Sequence, residues 1–275
     1  TPFFQSWQLF GKYPDILKDE KVGEEATKLK EDADRMLDQI ISKNWLRANG
    51  VFALYPAIPN GDDIDLLDLE GNTLGTFLTL RQQGTKKEGQ PSLALSDFIS
   101  HPKDGRTDHM GFFAVTAGLG LEKKVEEFEK NHDDYHSILI KALADRLAEA
   151  FAEYLHQRVR KEYWGYSPKE NLTNEELIRE RYEGIRPAPG YPACPDHLEK
   201  RTIFRLLNAE RMGITLTESL AMYPAASVSG YYFAHPESKY FGLGRIGMDQ
   251  VEDYAKRREI TIEEARKWLA PVINE

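Results

Sequence analysis

Apolar residues recur at helical spacing through residues 22–41. Ala26, Leu29, Ala33, Met36, Leu37 and Ile40 share one face there, and charged residues take the rest. Asn49-Gly50 ends that region, and the apolar run 51–55 reads as a strand stopped by Pro56. Residues 64–69 and 73–80 have strand character and meet at Glu70-Gly71-Asn72, which predicts a hairpin, and the polar stretch 81–91 reads as a loop. A further strand is expected over 111–116, then a turn at Ala117-Gly118-Leu119-Gly120 and a charged helix over 122–130. The longest predicted helix covers 133–163, with Leu139, Leu143, Leu147, Phe151 and Tyr154/Leu155 as its apolar stripe. Alanines at 142, 144, 148, 150 and 152 would let neighbours approach it closely.

Thr173 and Glu176 have capping-box spacing and open a helix to about Tyr182. Another helix is predicted from Leu198 to Met212, ending at Gly213, and strands over 228–233 and 240–246 flank a turn at His235-Pro236-Glu237-Ser238. The chain closes with a helix over 250–257 and one capped by Thr261 that ends before Pro271. Strands and helices do not alternate regularly, so the pattern predicts an α+β fold, a mostly antiparallel sheet with flanking helices, in a single domain.

Residues 186–195, Arg-Pro-Ala-Pro-Gly-Tyr-Pro-Ala-Cys-Pro, fit neither a helix interior nor a central strand, because each proline fixes φ and lacks an N–H. They predict a stiff extended loop with a swivel at Gly190, its backbone groups facing outwards between Arg186 and Tyr191. A guanidinium fork suits a carboxylate or phosphate, and a tyrosine adds an aromatic face with a hydroxyl. Loops of this composition also serve merely as connections.

With 275 residues, 41% hydrophobic and 29% charged, the chain is long enough for a substantial core and is not disordered in composition. No apolar run approaches the roughly 20 residues that span a bilayer. Thr1-Pro2-Phe3-Phe4 has no signal-like character and no initiator Met, as expected of a piece of a longer protein. Cys194 is the only cysteine, which excludes an internal disulfide and an all-thiolate metal site and fits a reducing cytoplasm. A net charge of −9 argues against nucleic acid as the main partner.

Several local patterns are weak. His132 and His136 have metal-ligand spacing, but Asp133 and Asp134 between them equally mark a helix N-terminus. Gly61-Asp62-Asp63 resembles part of a calcium loop without the remaining ligands and reads as a turn with solvated carboxylates. Residues 242–247 match GxGxxG without the strand–loop–helix order a dinucleotide site requires. Glu149 is either a surface charge near Arg146 or a carboxylate exposed through a gap of alanines, and Glu180 poses the same choice. The late aromatics Tyr231, Tyr232, Phe233, Tyr240 and Phe241 are core residues or, in part, a wall for an adenine ring or a cation.

Arg186-Pro187-Ala188-Pro189-Gly190-Tyr191 resembles the RxxxGY signature of the activation domain of cobalamin-dependent methionine synthase. The likeness extends over essentially the whole chain. It includes Thr1-Pro2-Phe3-Phe4, Gly11-Lys12-Tyr13-Pro14, the helical stretch 141–151, Tyr163-Trp164-Gly165-Tyr166, Ser227-Val228-Ser229-Gly230 and residues 235–240. The resemblance implies a C-shaped single domain, residues 1–275, that binds S-adenosylmethionine. With one electron from flavodoxin or a similar reductant, it would restore methylcobalamin on a neighbouring cobalamin-binding domain. It also implies that Arg186 binds the ligand carboxylate, supported by the backbone at Ala188 and Gly190. Tyr240 and Phe241 would line the site, Glu149 and Glu180 would lie near the cationic part, and Tyr191 would stand towards the corrin. The family's acidic residue just upstream of TPFF is absent from this sequence, which would lower affinity. Two alternatives are a sensor or interaction module that binds without turnover, and a self-contained methyltransferase, for which no Gly-rich turn is found.

Overall fold

The main sheet of the computed structural model, which describes residues 1–101 and 107–274, is antiparallel throughout. Its strands are β1 (Arg47–Asn60), β2 (Asp63–Leu67), β3 (Thr73–Phe77), β4 (Asp108–Leu119) and, after a short ribbon of β5 (Thr215–Leu216) and β6 (Met222–Tyr223), β7 (Ser227–Tyr232). The order is β3-β2-β1-β4-β7. The helices are α1 (Pro2–Gln5), α2 (Gly23–Ser42), α3 (Leu121–Lys130), α4 (Asp134–Arg158), α5 (Asn174–Ile178), α6 (Glu199–Leu207), α7 (Met248–Arg258) and α8 (Ile262–Leu269). None of the helices among the described residues is long and apolar enough to cross a membrane.

β4 carries an unbroken apolar run over residues 110–115 because both of its faces are covered there. Met110, Phe112 and Ala114 meet Phe77, Tyr231 and the α6 residues Ile203, Phe204 and Leu207. Phe113 and Val115 meet Tyr232 and Ala152 of α4 on the other side. Phe77, Phe112, Phe113 and Phe233 are fully buried, each contributing roughly 1.5–3 kcal/mol relative to exposure. A separate cluster joins α2, α3 and α4, and another joins α7 to α8.

β1 runs through both Pro56 and Pro59, so Pro56 does not stop it. The ladder to β4 covers residues 47–57 and the ladder to β2 covers residues 57–60, overlapping only at Ala57. At each proline the strand is therefore paired along one edge only, where a missing N–H is tolerated. In α4 the buried face is Leu139, Ile140, Leu143, Ala144, Ala148, Ala152 and His156, rotated from the predicted leucine stripe towards the alanines. The small side chains win because they let the helix lie close on the sheet, and Tyr154 is left exposed. The helix ends at Arg158 and passes into one π turn, Val159–Tyr163, which turns Arg160 wholly inwards.

The capping box at Thr173 is formed, but α5 stops at Ile178 and Glu180 adopts φ 54°. The helix expected over 198–212 is broken at Asn208, φ 49°. Residues 240–246 form no strand. Gly244 has φ 77°, and Leu243 N–H donates to the Pro192 carbonyl (2.7 Å), so this segment is bound to a loop and not to the sheet.

Candidate functional site

The proline-rich segment begins as a continuation of the sheet. Ile185 and Phe233 exchange backbone hydrogen bonds (3.0 and 3.1 Å), and Tyr231 N–H donates to the Pro187 carbonyl (2.9 Å), so residues 185–187 lie along the free margin of β7. Proline suits such a margin, since its carbonyl still accepts while no donor is required.

Beyond Ala188 the chain does not remain extended with its backbone groups outwards, as its composition predicts. It folds on itself. Gly190 N–H donates to Cys194 O (2.8 Å), Tyr191 N–H to Ala188 O (3.1 Å) and Cys194 N–H to Tyr191 O (3.0 Å), while the Cys194 thiol also donates to Ala188 O (2.8 Å). The change of direction falls at Gly190 (φ 92°), where a Cβ would sit 2.2 Å from the His197 ring. The far end is tied down by buried Asp196, which accepts from Leu198 N–H (2.7 Å), Arg258 (3.1 Å) and the Tyr254 hydroxyl.

A cavity of about 540 Å³ opens against this loop. Arg186, Ala188, Tyr191, Tyr240, Phe241, Glu149 and Glu180 all line it, as do Pro187, Pro192, Ala193, Val228 and Gly242. Gly190 does not; it shapes the loop. Tyr231, Tyr232 and Phe233 are core residues with no exposure, so only the second part of the aromatic group faces the cavity.

Arg186 is fixed at both ends. Its backbone N–H donates to the Tyr240 hydroxyl (2.9 Å), which is 3.2 Å from the hydroxyl of Tyr182. Its Nη2 donates to Glu153 Oε2 (3.3 Å), and its guanidinium lies 5.7 Å from the centroid of Phe113. Behind it, Arg160 forms a bidentate pair with Glu170 (2.6 and 2.8 Å) and lies over the Tyr182 ring. Burial is the largest influence and works against the Arg186 charge, but the Glu153 carboxylate together with the hydroxyls of Tyr240, Tyr182 and Tyr232 outweighs it, and the net effect raises its pKa. Burial raises the Glu180 pKa, Glu153 adds to the rise and Arg186 opposes it.

Residue-by-residue inspection of the sequence misses Glu153, Arg160 and Tyr182. One available signal is that Glu153 follows Glu149 by four residues and therefore shares its side of α4.

The cavity thus offers a fork for an anion, two carboxylates for a cation and an aromatic wall. Among the described residues no group of three or more His, Cys, Asp or Glu is arranged to hold a metal. Asp133 caps α4 by accepting from His136 N–H and contacts its ring (2.8 Å), while His132 precedes the helix. Asp63 is not solvated as its turn position suggests; it is buried, accepts from Thr79 N–H (2.9 Å) and pairs with Arg257. Gly247 caps α7, but no strand precedes it.

Residues 1–259 match the family model described as "Vitamin B12 dependent methionine synthase, activation domain". Among solved structures, the chain is similar to the MetH reactivation domain bound to AdoHcy, at 54% sequence identity and a TM-score of 0.96. The alignment covers 100% of this chain and 85% of that one.

Proposed function

Since the chain belongs to the activation-domain family of vitamin B12-dependent methionine synthase, we propose that its cavity binds S-adenosylmethionine for reactivation of the cobalamin of that methyltransferase. The observation that carries the reading is the convergence of Arg186, Glu149, Glu180 and the Tyr240–Phe241 wall on one cavity. A ligand with a carboxylate, a cationic centre and an adenine ring matches those three features, and about 540 Å³ lies within the ordinary range for such sites. The similar reactivation domain binds AdoHcy, which shares the carboxylate and the adenine.

When bound, the ligand supplies an activated sulfonium methyl for the cobalt of cobalamin carried by a neighbouring domain. The work of this chain is positional. Arg186 receives the carboxylate, supported by the loop backbone around Ala188 with Gly190 setting its turn. Glu149 and Glu180 face the positive part of the ligand, Tyr240 and Phe241 form the wall, and Tyr191, 59% exposed, stands at the mouth. No general base is required, because the methyl donor is already activated. The reading extends to residues 1–275 as one domain, to flavodoxin or a similar protein as the electron donor, and to a cytoplasmic setting. The Cys194 thiol, which is in no disulfide, supports the last.

Calorimetric titration of S-adenosylhomocysteine into the protein and into Arg186→Ala tests the site. A loss of roughly 1–3 kcal/mol is expected from the missing charge-assisted hydrogen bond, and an unchanged Kd would retire the assignment. Incubation with S-adenosylmethionine, reduced cobalamin and the cobalamin-binding domain then separates reactivation from a sensor role, since a sensor binds without forming methylcobalamin.

A further inference from the structure

Arg186 presents its guanidinium in a restricted way. One N–H of Nη2 is committed to Glu153 (3.3 Å), and Nε is buried without a hydrogen-bond partner among the described residues. Nη1, with no hydrogen bond among the described residues, and the second N–H of Nη2 are the donors left for a ligand.

Glu153 is itself held from behind. Its Oε1 is buried and lies 4.0 Å from Nη1 of Arg160, another buried atom without a hydrogen-bond partner. Arg160, with no exposure, is locked by its two bonds to Glu170. Glu170, Arg160, Glu153 and Arg186 thus form a chain of alternating charge that runs from the core to the cavity wall. Each carboxylate restrains the guanidinium beside it. A long arginine side chain loses much rotamer freedom when it binds a ligand, and a side chain already restrained loses less.

We propose that Glu153 is the positioning residue for Arg186, holding its fork so that the remaining donors meet the carboxylate of the incoming ligand. Glu153 does not line the cavity, so it acts through Arg186. This inference rests on the proposed role of Arg186 as the carboxylate-binding group.

The test compares two ligands that share the thioether and the adenosine and differ in the amino-acid headgroup, S-adenosylhomocysteine and 5′-methylthioadenosine. Both are titrated calorimetrically into the wild type, Glu153→Ala and Glu153→Gln. Glu153→Ala is expected to weaken S-adenosylhomocysteine about tenfold while 5′-methylthioadenosine stays within about twofold. Glu153→Gln keeps an acceptor and is expected to lose only about threefold, again confined to the ligand with the headgroup. Should Glu153→Ala fail to fold, the isosteric Glu153→Gln carries the comparison alone. Equal weakening of both ligands would mean that Glu153 merely supports the structure and would overturn the proposal. So would unchanged or tighter binding of S-adenosylhomocysteine by the variants. If the wild type itself bound no S-adenosylhomocysteine, the assignment of the cavity would fall first and this inference with it.

Discussion

Gly230 lies on β7 directly beneath the site loop, and replacing it with alanine tests what sets the height of that loop. A Cβ at this position would come 2.5 Å from the Pro187 carbonyl oxygen, 3.0 Å from the Phe113 ring and 3.3 Å from Ala188 Cβ. Its backbone is outside the left-handed region, so no backbone strain opposes Gly230→Ala and its cost is steric. The closest obstacle is backbone, which cannot swing aside as a side chain can. To reach ordinary contact at 3.4 Å the carbonyl must retreat by about 0.9 Å. That retreat would stretch the 2.9 Å bond from Tyr231 N–H to Pro187 O beyond hydrogen-bonding range.

A lost hydrogen bond and a crowded core together cost roughly 1–3 kcal/mol. For a chain of 275 residues this lowers Tm by about 2–5 °C. Because Arg186 and Ala188 flank the displaced carbonyl, affinity for S-adenosylhomocysteine should also fall by about tenfold. Thermal melts and calorimetric titration of the purified variant measure both. A variant that melts like the wild type, or one that melts early yet binds normally, would show that the spacing of sheet and loop does not position the fork.

Two further outcomes concern pH. His156 is buried between the rings of Tyr232 and Tyr182, and burial, with the charges of Arg160 and Arg186, depresses its pKa well below the ordinary 6.5. The unfolded chain therefore takes up a proton that the folded chain refuses. Stability should decline as pH drops below 6.5, by about 1 kcal/mol at pH 5.5; urea unfolding of His156→Phe, which keeps an aromatic ring there, should lack this component, and identical pH slopes would refute it. The Glu180 pKa is raised, so the folded chain binds the extra proton above the ordinary glutamate value, and stability from this group falls as pH rises through that window. The preference for S-adenosylmethionine over S-adenosylhomocysteine should shrink on acidification from neutral pH towards the ordinary glutamate range, and Glu180→Gln should flatten the trend; a wild-type ratio that does not change with pH would place Glu180 away from the sulfonium.

The sequence announces the α+β class, the helix over 22–41 and the hairpin around Gly71, because periodicity and turn chemistry are local properties. It misplaces the buried face of α4. A leucine stripe is the more apolar choice, but the closeness of the sheet selects the alanines, and that closeness is a tertiary fact. The end of β1 is misread for a similar reason: Pro56 is a strand breaker only if both edges are paired, and the split ladder leaves it one. At the site, composition points to the proline-rich segment, and the resemblance names seven side chains or backbone positions that line the cavity, Arg186, Ala188, Tyr191, Tyr240, Phe241, Glu149 and Glu180. The supports behind them are not legible in the same way. Arg160 looks like one more charge on a polar helix end until the π turn directs it inwards, and Tyr182 gains its contact with Tyr240 across 58 residues of chain.

The way β1 divides its hydrogen bonding between two neighbours has a bearing on colloidal behaviour. A long strand left unmatched over residues 47–56 on its β2 side and over 58–60 on its β4 side is an invitation for a stray extended peptide to dock and seed aggregates. Pro56 and Pro59 sit in the unmatched stretches and withhold the amide protons an intruder would need. The same two residues that obscure the strand in the sequence thus help keep the sheet closed to other chains.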